Sequence, residues 1–158
     1  YWLVASDGGI FAFGDAQFYG STGSINLNRP IVGMTPTPSG NGYWLVASDG
    51  GIFAFGDAQF YGSTGSINLN RPIVGMTPTP SGNGYWLVAS DGGIFAFGDA
   101  QFAGSLGGLN VNDAIGMKRN DSGTGYWIFR SDGSVYSFGS APFLGHGAGR
   151  GLSYVQAG

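Results

Sequence analysis

The sequence predicts an all-β fold: a β-propeller of four four-stranded blades of about 42 residues each, its ring closed by the C-terminal strand pairing with the first blade. Three observations carry this. The stretch from Tyr1 to Phe18 returns letter for letter from Tyr43 to Phe60 and from Tyr85 to Phe102, and a degenerate copy runs from Tyr126 to Phe143. The copies begin at 1, 43, 85 and 126, so they lie 42, 42 and 41 residues apart. A period in the forties with several strand-like runs marks propeller blades, and no stretch shows the 3.6-residue apolar spacing of helical repeats. The strand-like runs are apolar on both faces, so each must be sandwiched between neighbours.

Within one repeat, Tyr1 to Ser6 reads as a strand and Ile10 to Phe13 as its partner. Asp7-Gly8 between them is the two-residue signal of a type I′ hairpin. That turn sets Val4 opposite Phe11 and Trp2 opposite Phe13. Trp2, Val4, Phe11 and Phe13 then share one face, and Leu3, Ala5, Ile10 and Ala12 the other. Stacking the bulky face of one unit on the modest face of the next buries a Trp and two Phe, at roughly 1.5–3 kcal/mol per large apolar side chain. A single repeat cannot cover both of its own faces, so it is a stacking unit. Gln17 to Ser21 reads as a third, short strand after the Gly14-Asp15 turn, and Thr22 to Asn28 as a mostly polar connection. Arg29-Pro30 leads into a fourth strand, Ile31 to Thr35, where Gly33 allows close approach at a central axis. The Pro-containing run from Thr35 to Gly42 cannot continue a ladder and turns the chain back to Tyr43.

Tyr1 enters at the second strand of a blade, and residues 150–157 align with the innermost strand around Ile31 to Thr35. The expected organisation is one domain, 1–158, with blades at about 1–23 plus 150–157, 30–66, 72–107 and 114–147. Two alternatives stay open: two chains forming an eight-bladed ring, or a piece of a longer array.

Composition narrows the partners. Charged residues are 9% of the chain, far below the roughly 25% of a typical globular protein. Gly contributes 32 residues, but 15% aromatic and 42% hydrophobic content sets the chain apart from disordered sequences, and Gly lacks the every-third spacing of collagen. The net charge is −3 and the six basic residues are scattered, leaving no basic stripe for nucleic acid. No apolar run approaches the roughly 20 residues of a membrane helix. Cysteine is absent, which excludes disulfides and thiolate chemistry. The chain begins at Tyr1 without a Met, which leaves room for removed upstream sequence.

Catalytic constellations are thin. There is no Glu, and the one His, His146, sits between Gly145 and Gly147, with nothing local to build a Ser-His-Asp arrangement. The Asp residues recur at repeat spacing, as Asp7, Asp49, Asp91 and Asp132 and as Asp15, Asp57 and Asp99, which is the behaviour of turn residues. One Asp per hairpin falls short of a Ca²⁺ loop, and no cofactor or metal is expected. Ligand binding is the sharpest functional expectation. The hairpin tip and the Thr22 to Arg29 connection should emerge at the same end of the fold. That end gathers Asp7, Asn26, Asn28 and Arg29, then Asp49, Asn68, Asn70 and Arg71, then Asp91, Asn110 and Asn112. Amides, carboxylates and Arg beside aromatic surface suit sugar hydroxyls, and repetition adds avidity. The four Trp are assigned to the core. Arg130 is out of pattern, on a face otherwise apolar; either its stem snorkels to the rim or that face is less covered.

The repeat Gly42-Tyr43-Trp44-Leu45-Val46-Ala47-Ser48-Asp49-Gly50-Gly51-Ile52-Phe53-Ala54-Phe55-Gly56-Asp57-Ala58, preceded by Ile31-Val32-Gly33-Met34-Thr35-Pro36, resembles the near-identical β-propeller blade repeats of actinobacterial secreted proteins, which often accompany cell-wall hydrolase or peptidase domains. The likeness spans the chain and is strongest from Tyr1 to Gln101. It weakens at Lys118-Arg119-Asn120-Asp121 and at Ser140. The resemblance implies a secreted or cell-surface module, non-enzymatic, that binds or scaffolds, with cell-wall carbohydrate or a protein partner as its ligand. It carries over no catalytic residue. The alternative is a purely structural repeat unit that assembles, as a homodimer or more, into a larger ring or extended array.

Overall fold

The computed structural model describes residues 1–151. β1 (Trp2–Val4) and β2 (Ile10–Ala12) form a two-stranded antiparallel sheet. β3 (Ile31–Pro36), β4 (Gly42–Ala47) and β5 (Ile52–Gly56) form a three-stranded one with β4 in the middle. β6 (Ile73–Pro78), β7 (Gly84–Ala89) and β8 (Ile94–Gly98) repeat that sheet, as do β9 (Ala114–Arg119), β10 (Gly125–Arg130) and β11 (Val135–Gly139). No helix among the described residues is long and apolar enough to cross a membrane.

This architecture corrects the expected β-propeller of four-stranded blades in a closed ring. Among the described residues the sheets have three strands or two, and they stand in an open row in which the first sheet does not touch the fourth. The strand expected to close the ring, 150–157, lies outside the described residues apart from its first two positions.

The expected strand at Gln17 to Ser21 is absent because side chains, rather than a neighbouring strand, take up its backbone groups. In the second repeat Trp44 Nε1 donates to the Gln59 carbonyl at 2.7 Å. From the next sheet, the Tyr85 hydroxyl accepts from the Tyr61 amide at 3.0 Å and donates to the Gly62 carbonyl at 2.6 Å. Trp2 and Tyr43 hold residues 17–20 in the same way, and Trp86 and Tyr126 hold 101–104. Each of the first three outer segments is therefore pinned by an indole of its own repeat and a phenol of the following one, and it needs no ladder to be satisfied. In the last repeat Pro142 stands in the Gln position and still accepts from Trp127 Nε1 at 2.7 Å, because the bond uses only a carbonyl.

The hairpin also differs from its expected form. The Gly50 amide donates to Ala47 O at 2.8 Å and the Ala47 amide to Gly51 O at 2.9 Å, so the loop holds three residues, Ser48 to Gly50, with Gly50 at φ 81°. This is the three-residue hairpin that ends on a left-handed Gly. One extra loop residue slips the register by one, pairing Leu45 with Phe53 and Val46 with Ile52, and a one-residue slip exchanges face partners. Trp44, Val46, Ile52 and Ala54 therefore share one face, and Tyr43, Leu45, Phe53 and Phe55 the other. The first of these faces packs on Tyr85, Leu87, Phe95 and Phe97 of the next sheet, and the same interlock joins the other neighbours in the row. The conclusion that Trp lies inside survives the corrected register, since Trp44 and Trp86 are buried. Inner strands β3, β6 and β9 lie side by side along one edge of the row. A methyl added at Gly75 would sit 3.7 Å from Gly116 Cα.

Gly50 carries the tightest demand in the hairpin. A Cβ there would lie 1.7 Å from Thr64 Oγ1, whereas one at Gly40 (φ 77°) meets nothing within 4 Å. Gly40→Ala should cost about 1–2 kcal/mol for the left-handed backbone alone, and Gly50→Ala about 1–3 kcal/mol more for the overpacking. Denaturant midpoints compare the two, and equal losses would show that Thr64 yields freely.

Candidate functional site

Hairpin tips and connecting segments meet at one end of each sheet, and local hydrogen bonds fix how. Thr64, fully buried, donates from Oγ1 to Asp49 O at 3.0 Å and from its amide to Gly50 O at 3.3 Å. The connection that follows is thereby fastened onto its own hairpin tip. The tip is also tied at Ser48, whose amide donates to Pro30 O at 3.0 Å and whose carbonyl accepts from the Ile73 amide at 2.8 Å. Each tip thus stands between the connection before it and the connection after it, and clefts open on either side.

Three such clefts recur along the row. The first, about 340 Å³, is lined by Asp7, Asn26, Asn28 and Arg29 beside Ile25 and Leu27. The second, about 590 Å³, joins Arg29 to Asp49, Asn68, Asn70 and Arg71, with Ser48 and Ile67. The third, about 390 Å³, joins Asn68, Asn70 and Arg71 to Asp91 and Phe95. Nine of the eleven residues proposed from the sequence line these clefts, and each belongs to the cleft of its own or the adjoining repeat. Asn110 and Asn112 line none of the three. Asn110 holds a left-handed backbone, φ 59°, in the turn at 107–110, a conformation Asn tolerates better than most residues. The apolar contribution of Ile25 and Ile67, both about half exposed, was not singled out by the sequence; their recurrence in an otherwise polar connection was the available signal.

The polar groups of the second cleft are not spent on one another. The ion pairs among the described residues all involve Arg130, so Arg29 and Arg71, which line the cleft, have no carboxylate partner among the described residues. Asp49 is oriented by its own turn, with Oδ1 accepting from the Gly51 amide at 2.9 Å. Asp7, Asp91 and Asp132 make the equivalent bond, so this series builds turns first. Trp44 and Trp86 offer no stacking surface to the clefts, being buried with their indole N–H groups engaged. The lone His146 accepts through Nδ1 from the Ala148 amide at 3.0 Å and lies against Phe143, ring centroids 5.7 Å apart.

The fourth repeat replaces contacts in pairs. Arg130 stands where Ala47 and Ala89 stand, and it meets Asp113, which stands where Pro30 and Pro72 do: Nε lies 2.6 Å from Oδ1. The guanidinium thus ends on a carboxylate at a partly exposed position. The Asp113 carboxylate and the Tyr136 hydroxyl raise the Arg130 pKa above its ordinary value. At the opposite end of the sheet, Asp57 accepts from Thr37 Oγ1 at 2.7 Å and from Ser39 Oγ, and so clasps the Pro-containing turn. In the fourth repeat, Asn120 and Ser140 occupy the Thr and Asp positions, and Asn120 Nδ2 donates to Ser140 Oγ at 2.8 Å. A further cleft of about 350 Å³ at that end is lined by Pro36, Pro78, Lys118 and Arg119. There Arg119 Nε is already bonded to Pro78 O at 2.8 Å.

Two outcomes check these assignments. Arg130→Ala and Asp113→Pro should each destabilise alone, while the double variant, which restores the pattern of the other repeats, should recover most of the loss; a coupling of about 1–3 kcal/mol by double-mutant cycle is expected. For Asp57, the hydroxyls of Ser39 and then Thr37 hold the carboxyl below its ordinary 3.8. Its contribution is therefore fully present above pH 3.8 and lost as pH falls below that value through the lowered folded one. Melting temperature followed down from neutral pH should fall more steeply in the wild type than in Asp57→Asn. Parallel curves would remove Asp57 from the acid response.

Neither a protein-family model nor a curated protein matches this chain.

Proposed function

We propose that this chain is a non-enzymatic binding module that takes carbohydrate in clefts repeated along one end of its row of sheets. The observation that carries this reading is the second cleft and its neighbours: two Arg without acidic partners among the described residues, amide side chains and an oriented carboxylate, set beside an exposed Ile and recurring from one repeat to the next. Side-chain amides donate and accept at once, and guanidinium groups donate in a planar fork. Such groups suit a chain of hydroxyls or a ring carboxylate. Phe95 of the third cleft is the one aromatic side chain in the lining of the three, so each cleft binds weakly, and useful affinity comes from engaging several clefts with one polymer. The resemblance of the repeat to those of actinobacterial secreted proteins supports cell-wall glycan as the carbohydrate and the outside of the cell as the place.

Calorimetric titration with peptidoglycan fragments of increasing length tests the reading. Affinity should rise steeply once a fragment is long enough to reach two clefts. Asn68→Ala, Asn70→Ala and Arg71→Ala combined should abolish that rise with little change in stability, since all three residues are exposed and lie away from the core. No heat at millimolar ligand for any fragment would sink the carbohydrate reading.

A further inference from the structure

A polar cleft of about 300 Å³ opens where the second and third sheets meet, at the end opposite the Arg-bearing clefts. Its walls are the Pro-containing turn at Ser39, the outer segment carrying Asp57, Gln59 and Tyr61, and the following turn carrying Ser81 and Asn83. Both sheets that frame it have a neighbouring sheet on either side, so the cleft belongs to an interior junction of the row.

The fold does not need two of the polar groups in this cleft. Gln59 holds its place through its carbonyl, which accepts from Trp44 Nε1 at 2.7 Å, and Pro142 does the same in the last repeat. No hydrogen bond among the described residues uses the Gln59 side-chain amide, which lines the cleft. Tyr61 is held by its amide, which donates to the Tyr85 hydroxyl at 3.0 Å. Ala103 stands in that position in the third repeat, and its amide donates to the Tyr126 hydroxyl at the same 3.0 Å. The Tyr61 hydroxyl is thus free of that duty, and it reaches across the junction to donate to Asn83 Oδ1 at 3.2 Å.

The charge of the cleft is one-sided. Asp57 lines it, and no Lys, Arg or His does. The Asp57 carboxylate is exposed, and each of its oxygens accepts from one hydroxyl, Thr37 Oγ1 and Ser39 Oγ, which leaves each oxygen further accepting capacity.

We propose that this cleft binds a protonated primary amine. An ammonium group brings three donors and no acceptor. The Asp57 carboxylate, Gln59 Oε1 and the Tyr61 hydroxyl supply acceptors, and an aromatic ring in the lining favours a cation over a neutral donor. The same chemistry arrives on an amino sugar or on a lysine side chain. The set is broken in the later repeats, where Ala103 replaces Tyr61, Ser140 replaces Asp57 and Pro142 replaces Gln59. The inference does not rest on the carbohydrate reading, since it uses none of the residues of the Arg-bearing clefts.

Magnetic resonance of the isotope-labelled chain at neutral pH, followed through the side-chain amide signals of Gln59 and Asn83, tests the proposal. The probes are a glucosamine trisaccharide, its fully N-acetylated counterpart, and Nα-acetyl-lysine amide. At least one of the two amines should shift both signals, and the N-acetylated sugar should not. A shift from the sugar amine alone supports an amino-sugar source, one from the lysine derivative alone a peptide source, and shifts from both show that the amine suffices. Asp57→Asn and Gln59→Ala should each weaken amine binding by about 5-fold, the upper end for one exposed charged contact, and Gln59→Ala should melt like the wild type. Arg71→Ala should leave amine binding unchanged, so this site and the Arg-bearing clefts stand or fail separately. Unmoved signals with both amines, equal shifts from the N-acetylated sugar, or amine affinity unchanged in both cleft variants would each overturn the proposal.

Discussion

Every sheet in this protein is apolar on both faces, and that single constraint governs the rest. A sheet with Trp44, Val46 and Ile52 on one side and Tyr43, Leu45 and Phe53 on the other cannot be covered by its own short repeat, so it is stable only between neighbours. Burial of Tyr43, Trp44, Leu45 and Val46, all 0% exposed, at roughly 1.5–3 kcal/mol each, makes the junction the unit of stability rather than the sheet. The Tyr hydroxyl then gives the junction direction. It crosses from one repeat to the outer segment of the repeat before it, bonding an amide and a carbonyl at once. Stacking area and this polar tie act together, so neighbouring sheets take one register.

The same tie explains the irregular outer edge. Residues 59–62 run beyond the last strand of their sheet with their polar groups held by an indole below and a phenol above. Such an edge presents few free ladder groups, which limits indiscriminate strand addition.

The fourth repeat shows how a near-identical array tolerates divergence. Its changes are not independent. Arg130 arrives with Asp113, and Asn120 arrives with Ser140. An Arg placed alone in the Ala47 position would have put a charge against an apolar neighbour, Pro30 or its equivalent. Each replacement brings its own partner, so the contact changes chemistry while the backbone around it keeps its hydrogen bonds.

Much of this was legible in the chain itself. The period, the hairpin between Ser6 and Ile10, the turn after Pro36, the inward Trp and the gathering of Asp49, Asn68, Asn70 and Arg71 at one end all follow from repetition, turn chemistry and two-residue alternation. Arg29 and Asp49 were placed together because the order of strands and loops puts them there. Three features needed the tertiary structure. Asp7-Gly8 reads equally as the centre of a two-residue loop or the end of a three-residue one; the close seat of Gly8 on Thr22, fourteen residues downstream and fully buried, accompanies the longer loop and shifts every facing pair. Residues 17–21 have strand composition, but their hydrogen bonds go to Trp2 and Tyr43, so their state is settled by side chains outside the segment. The row stays open among the described residues because closure depends on how consecutive sheets are angled and on what meets the first face. Local sequence encodes how one sheet grips the next, and the sum of those grips is a property of the assembled stack alone.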